Sequence, residues 1–140
     1  MKSLIAVVFT ALIVGCAAIG REQASGARGR LLCNGKPAAN VLVKLWDEDD
    51  YFGSDDLLDE GVTDSDGFFE LAGHVTEITP IDPKLNIYHD CEDYIPCQRK
   101  VTIKIPNKYI TPGMHPQRYY EAGTIELEGE FVGESRDCLH

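Results

Sequence analysis

The chain has 140 residues, with 23 acidic against 13 basic side chains and a formal charge of −10, so there is enough chain for one core and no general affinity for nucleic acid or acidic membranes. The first twenty residues stand apart in composition. Lys2 precedes an apolar run from Leu4 to Val14 that only Thr10 interrupts, and Ala18 and Gly20 place small residues at −3 and −1 of a cleavage site. That run falls short of the ~20 residues of a membrane span.

Residues 1–20 are therefore read as a removed secretory signal with cleavage near Gly20, and residues 21–140 as a single secreted domain without a transmembrane segment. Ile13-Val14-Gly15-Cys16 also fits a pattern that directs lipidation of a cysteine; removal of Cys16 with the signal is the preferred reading. Cys33, Cys91, Cys97 and Cys138 then remain, an even set that in an oxidising compartment points to two disulfides. Of the three possible pairings, Cys91–Cys97 across a short loop is favoured, with Cys33–Cys138 tying the C-terminal segment to an early strand. A zinc site is the rival, but no C-x-x-C pair exists and His89 is the sole histidine near a cysteine pair.

In chain order, residues 21–28 are polar and contain Gly and Ser, which predicts a flexible lead-in. Gly29 to Cys33 reads as a first strand, and Asn34-Gly35 as a tight turn. Val41 to Trp46 alternates, with Val41, Val43 and Leu45 on one face and Leu42, Lys44 and Trp46 on the other. Asp47 to Asp56 is an acidic loop in which Tyr51 and Phe52 join Trp46 as a candidate contact surface or end cap.

A hairpin is expected next, beginning at Leu57-Leu58 and turning at Ser65-Asp66-Gly67, where Asp folds back on its own backbone and Gly accepts positive φ. Phe69 and Leu71 then face one side, Phe68 and Glu70 the other. Gly73 to Pro83 is read as a connection, since Pro80 and Pro83 bar a regular central strand. Lys84 to His89 and Lys100 to Ile105 are strands; in the second, Val101, Ile103 and Ile105 point in while Lys100, Thr102 and Lys104 point out. Tyr109 to Gln117 is a loop, Tyr119 to Leu127 a last strand or strand pair, and Gly129 to His140 a tail pinned by Cys138. Short strands, frequent turns and no parallel crossovers predict an all-β antiparallel sandwich of seven to eight strands around one core: Leu31, Val41, Val43, Leu45, Phe69, Leu71, Leu85, Ile87, Val101, Ile103, Ile105, Ile125 and Leu127.

Gly29-Arg30-Leu31-Leu32-Cys33-Asn34-Gly35-Lys36-Pro37, Lys44-Leu45-Trp46-Asp47, Thr63-Asp64-Ser65-Asp66-Gly67-Phe68-Phe69, Ile87-Tyr88-His89-Asp90-Cys91, Pro96-Cys97-Gln98-Arg99-Lys100 and Gly133-Glu134-Ser135-Arg136-Asp137-Cys138 together resemble the nematode transthyretin-like family. The likeness covers essentially all of residues 21–140. It implies a prealbumin-like sandwich of two antiparallel sheets, secretion from a eukaryotic cell, and work outside cells as a carrier, signal or adaptor, with one branch of the family linked to phosphatidylserine on dying cells. A eukaryotic secreted family also argues against lipidation at Cys16.

Catalysis is not expected. Related folds that hydrolyse 5-hydroxyisourate group His and Arg at a subunit interface and end in Tyr-Arg-Gly-Ser, whereas this chain ends Arg136-Asp137-Cys138-Leu139-His140, and no nucleophile–histidine set can be assembled from spacing. A calcium loop at Asp64-Ser65-Asp66-Gly67 fails as an EF-hand, since its first and last positions would be Val62 and Gly73; no metal or other cofactor is assigned. Arg99, Lys100, Lys104 and Lys108 are the one basic concentration. With Lys44 on a neighbouring strand, Arg99, Lys100 and Lys104 form a candidate contact for anionic phospholipid head groups or an acidic partner, against the alternative that outward lysines guard a strand from edge pairing. The expected partner is otherwise an extracellular protein or a small apolar ligand.

Overall fold

The computed structural model describes residues 19–49 and 54–140. The predicted signal and Cys16 lie outside these, apart from Ile19 and Gly20, and so do Tyr51 and Phe52. The elements are β1 (Arg21–Cys33), β2 (Lys36–Pro37), β3 (Leu42–Asp47), β4 (Asp56–Val62), β5 (Phe68–Glu77), β6 (Pro83–His89), β7 (Gln98–Lys104), a 3-10 turn (Asn107–Tyr109), β8 (Thr111–Pro112), β9 (Tyr120–Glu126) and β10 (Ser135–Asp137). They form two sheets. The first is built on β1, which pairs with β2, β5, β8 and β9; the second runs β10-β7-β6-β3-β4. Three of the ten strands are only two or three residues long, so the seven longer ones meet the expected count. Among the described residues no helix is long and apolar enough to cross a membrane.

The strands pack through the faces that alternation assigns. Leu31, Val43, Leu45, Phe69, Leu71, Leu85, Ile87, Val101, Ile105 and Leu127 are buried, and Val41, Ile103 and Ile125 pack against them from the margin. A fully buried Leu or Ile stabilises the fold by about 1.5–3 kcal/mol, so this one cluster accounts for the sandwich without a second core.

Four expectations are corrected. The lead-in at residues 21–28 belongs to β1, where Ala24, Ser25 and Ala27 are fully buried. Their small side chains suit close cover: a Cβ on Gly26 would come within 2.8 Å of the Tyr119 ring. The connection predicted from Gly73 begins only after Glu77, because β5 follows the extended β1 through Thr76↔Glu22 and Glu77↔Arg21. The hairpin is an arch. Its turn forms where predicted, with the Gly67 N–H donating to the Asp64 carbonyl (3.0 Å), but the side chain that folds back is Asp64 rather than Asp66: its Oδ1 accepts from the N–H of Asp66 and Phe68 (both 2.9 Å). Yet β4 pairs with β3 and β5 with β1, so the turn carries the chain from one sheet to the other. Gly67 (φ +85°) lies against β1, where a Cβ would meet the Leu31 carbonyl oxygen at 2.3 Å.

The disulfides are the fourth correction. They are Cys33–Cys91 and Cys97–Cys138, not Cys91–Cys97 and Cys33–Cys138. Cys91 is buried and joins the core beside the end of β1, whereas Cys97 (φ +70°) bonds Cys138, which directly follows β10 on the far side of β7. The short loop between them therefore has each end anchored to a different segment. Within the antiparallel sandwich one pairing is parallel: after β8, the chain lays Pro116 and Tyr119 over Gly26 and returns as β9 alongside β1.

Candidate functional site

The outer face of the first sheet carries an open groove of about 520 Å³. Register builds it in two rows. Arg28 lies opposite Glu70 on β5 and Glu121 on β9, and Arg30 opposite Phe68 and Thr124. Arg28 is held between carboxylates, with Nε to Glu121 Oε1 at 2.5 Å and a terminal nitrogen to Glu70 Oε1 at 3.4 Å, and its guanidinium sits 5.3 Å from the Tyr119 ring centre. Arg30 is placed differently. Its Nε donates to the Asp66 carbonyl (2.8 Å), its guanidinium lies 5.2 Å over the ring of Phe68, and among the described residues no carboxylate pairs with it. Phe68 is 52% exposed. A register shift between Arg28 and Gly29, opposite Gly123 (φ +75°), interrupts the β1–β9 ladder here, and a bulge of this kind bends its strand.

The outer face of the second sheet carries the predicted lysines. Lys44, Asn86 and Thr102 share one cross-strand row, Tyr88 and Lys100 the next, and Trp46, Lys84 and Lys104 a third. Lys44 Nζ is 3.7 Å from Glu60 and 5.7 Å from the ring centres of both Trp46 and Tyr88. Lys100 Nζ is 3.9 Å from Asp137, and Lys84 is held by Asp55 and Glu48. Lys104 has no ion pair among the described residues. The Tyr88 ring stacks on His140 (4.3 Å), and burial pushes its hydroxyl up from the ordinary phenol value.

Arg99 does not join that face. Alternation along β7 puts it with Val101 and Ile105, and it is buried. Its guanidinium grips Glu134 through two bonds (2.8 and 2.9 Å) and donates to the carbonyls of Cys91 (2.8 Å), Gly129 (2.8 Å) and Glu128 (3.3 Å). The guanidinium holds the Glu134 carboxyl below the usual range. Opposite in register is His89, also buried, whose Nδ1 accepts from the Cys91 N–H (3.1 Å) while Nε2 has no partner; burial, then the Arg99 charge, lowers its pKa. Arg99 is thus a structural clamp rather than a head-group contact. Its parity with Val101 and Ile105 was the signal available in the sequence.

Three carboxylates, from β3, β4 and β5, gather at one corner. Carboxylate oxygens of Asp47, Asp56 and Glu77 lie within 4.8 Å of one another. Asp47 is buried and accepts from the Asp82 N–H (2.8 Å); burial raises its pKa, and a hydrogen bond with Asp56 raises that of Glu77. The histidines are dispersed: His74 bonds Glu22 on the first sheet, His89 is buried, His115 is exposed in a loop and His140 covers Tyr88. All four cysteines of residues 21–140 are spent in disulfides. Sequence reasoning had placed Phe68 and Glu70 on an outward face but missed Arg28, Arg30 and Glu121, which only register brings beside them.

A model of the transthyretin-like family matches residues 28–106. Among curated proteins, the chain is similar to three from Caenorhabditis elegans. It is 59% identical to transthyretin-like protein 5 over 89% of this chain and 90% of that protein. The figures are 51% for transthyretin-like protein 33, over 94% of each, and 46% for transthyretin-like protein 2, over 87% of this chain and 86% of that protein.

Proposed function

The chain belongs to the transthyretin-like family, and from that premise we propose that it is a secreted, non-catalytic binding protein that carries a small ligand in the groove of its first sheet. The observation that carries this reading is Arg30. It is stacked on a half-exposed Phe68, pinned at Nε, and its terminal nitrogens have no carboxylate partner among the described residues. Such a pair offers a flat apolar surface beside a fixed cation, which suits a ligand with an apolar body and one anionic group. Secretion is supported by the two disulfides and by the signal-like first twenty residues. Hydrolysis of the hydroxyisourate type finds no support in histidines that stand apart.

The test is a fluorescence titration with 1-anilinonaphthalene-8-sulfonate, an apolar anion. The carrier reading expects one saturable site, weakened about tenfold or more by Arg30→Glu and by Phe68→Ser. Binding that both variants leave unchanged, or no saturable binding, overturns it.

A second reading, recognition of phosphatidylserine at cell surfaces, rests on Lys100 and Lys104 sharing the outer face of the second sheet. Lys104 carries most of its weight, since Lys44 and Lys100 have acidic neighbours and Arg99 faces inward. Flotation with phosphatidylserine vesicles, comparing wild type with Lys100→Glu/Lys104→Glu, tests it; absent or unchanged binding sinks it.

A further inference from the structure

Arg99 also ties together the end of the sandwich formed by residues 90–97 and 128–134, and the side chains there that point away from it have no role in the core. The loop at residues 91–97 is bound at both ends by disulfides. It is braced from within by Arg136, which donates to both oxygens of Asp93 (3.0 and 2.7 Å) and to the Cys97 carbonyl (3.1 Å). The neighbouring loop is held by Arg99 at the Glu128 and Gly129 carbonyls and at Glu134. From these fixed loops Tyr94 (89% exposed), Ile95 (59%) and Val132 (fully exposed) project into solvent. Glu92, Glu128 and Glu130 stand on the same loops without a salt bridge among the described residues; Glu92 accepts from the Tyr94 hydroxyl (3.1 Å) and from the Asn34 side-chain amide, and Glu128 and Glu130 are exposed.

A single exposed apolar side chain is ordinary, but a group of them rimmed by charged residues marks an interaction surface. Here two disulfides and a buried ion pair hold them still, so a partner would meet a surface whose ordering cost is already met. Tyr is also a favoured hot-spot residue at protein interfaces. We infer that this end is a protein-docking surface, separate from the groove, for an extracellular partner whose apolar contact residues are flanked by Lys and Arg. Charge selects that occupant. The carboxylates would repel a second copy of this chain, whose formal charge is −10, and would repel an anionic bilayer.

The test is selection of a displayed random-peptide library on the immobilised protein, depleted against Tyr94→Ser/Ile95→Ser, followed by calorimetry with the enriched peptide. Enriched peptides are expected to set Lys or Arg around apolar residues and to bind more weakly as salt is raised. They should lose about tenfold or more in affinity both to Tyr94→Ser/Ile95→Ser and to Glu128→Gln/Glu130→Gln. All four side chains are outside the core, so each variant should unfold at the wild-type temperature, which separates lost docking from lost folding. Failure to enrich any peptide that the double variant does not also retain overturns the proposal, as does a salt-independent or acidic consensus. Sedimentation with neutral phosphatidylcholine vesicles that depends on Tyr94 and Ile95 would assign the tip to lipid and likewise overturn it.

Discussion

Arg99 and Glu134 meet as a two-bond pair, Nε to Oε2 at 2.9 Å and a terminal nitrogen to Oε1 at 2.8 Å, with both side chains less than a tenth exposed. A buried pair of this kind is worth little against a well-packed apolar substitute, but either member alone is a liability. Arg99→Ala should therefore cost about 3–5 kcal/mol in urea unfolding, since it strands a buried carboxylate and frees three carbonyls. Arg99→Lys should recover only part, because an ammonium cannot span Glu134 and the carbonyls together. A loss under about 1 kcal/mol would remove Arg99 from its place as the clamp of this end.

His89 makes folding sensitive to mild acid. Its folded pKa lies below the ordinary 6.5, so the unfolded chain takes up the proton first. The stability it contributes is whole above that value and is lost progressively as pH falls through 6.5 towards the folded pKa. His89→Gln should flatten that part of the stability profile and leave the carboxylate-driven fall at lower pH in place. An unchanged profile would mean that the ring is not held neutral.

Asp47 works with the opposite sign. Burial raises its folded pKa, so its contribution is present in acid and declines as pH rises through that value. Asp47→Asn keeps an acceptor for the Asp82 N–H and removes the charge. It should raise stability at pH 7 by about 1 kcal/mol and change it little near pH 3. Equal destabilisation at both pH values would show that the carboxylate is needed for another reason.

A non-reducing peptide map should yield the Cys33 peptide joined to that of Cys91, and the Cys97 peptide joined to that of Cys138. Cys33→Ala/Cys91→Ala should cost about 3–5 kcal/mol, because it opens a long loop and thins the core at Cys91. Recovery of a Cys91–Cys97 peptide would contradict the topology of this end.

How much of this was legible in the chain itself follows from the range of the forces. Strand faces were readable because side-chain direction alternates residue by residue, whatever the strand pairs with; hence the core from Leu31 to Leu127 and the outward Lys100, Thr102 and Lys104. The turn at Asp64–Gly67 was readable because the hydrogen bonds that shape it, from Asp64 to the N–H groups of Asp66, Gly67 and Phe68, are local. Pairing is different. The same turn serves a hairpin or an arch, and only packing across the two sheets sends β4 to β3 and β5 to β1. The disulfide partners, 58 and 41 residues apart, depend on where β1 ends and on β10 joining β7. Residues 21–28 looked like a linker because Ala, Ser and Gly carry little strand preference, yet small side chains are what close cover by Tyr119 and Pro116 requires. The sequence alone determined a β-sandwich and its inner faces. Only the tertiary structure decided that Arg99 is a buried clamp, that Arg30 meets Phe68 across two strands, and that Tyr94 stands on a loop fixed at both ends, because each depends on contacts between residues far apart in the chain.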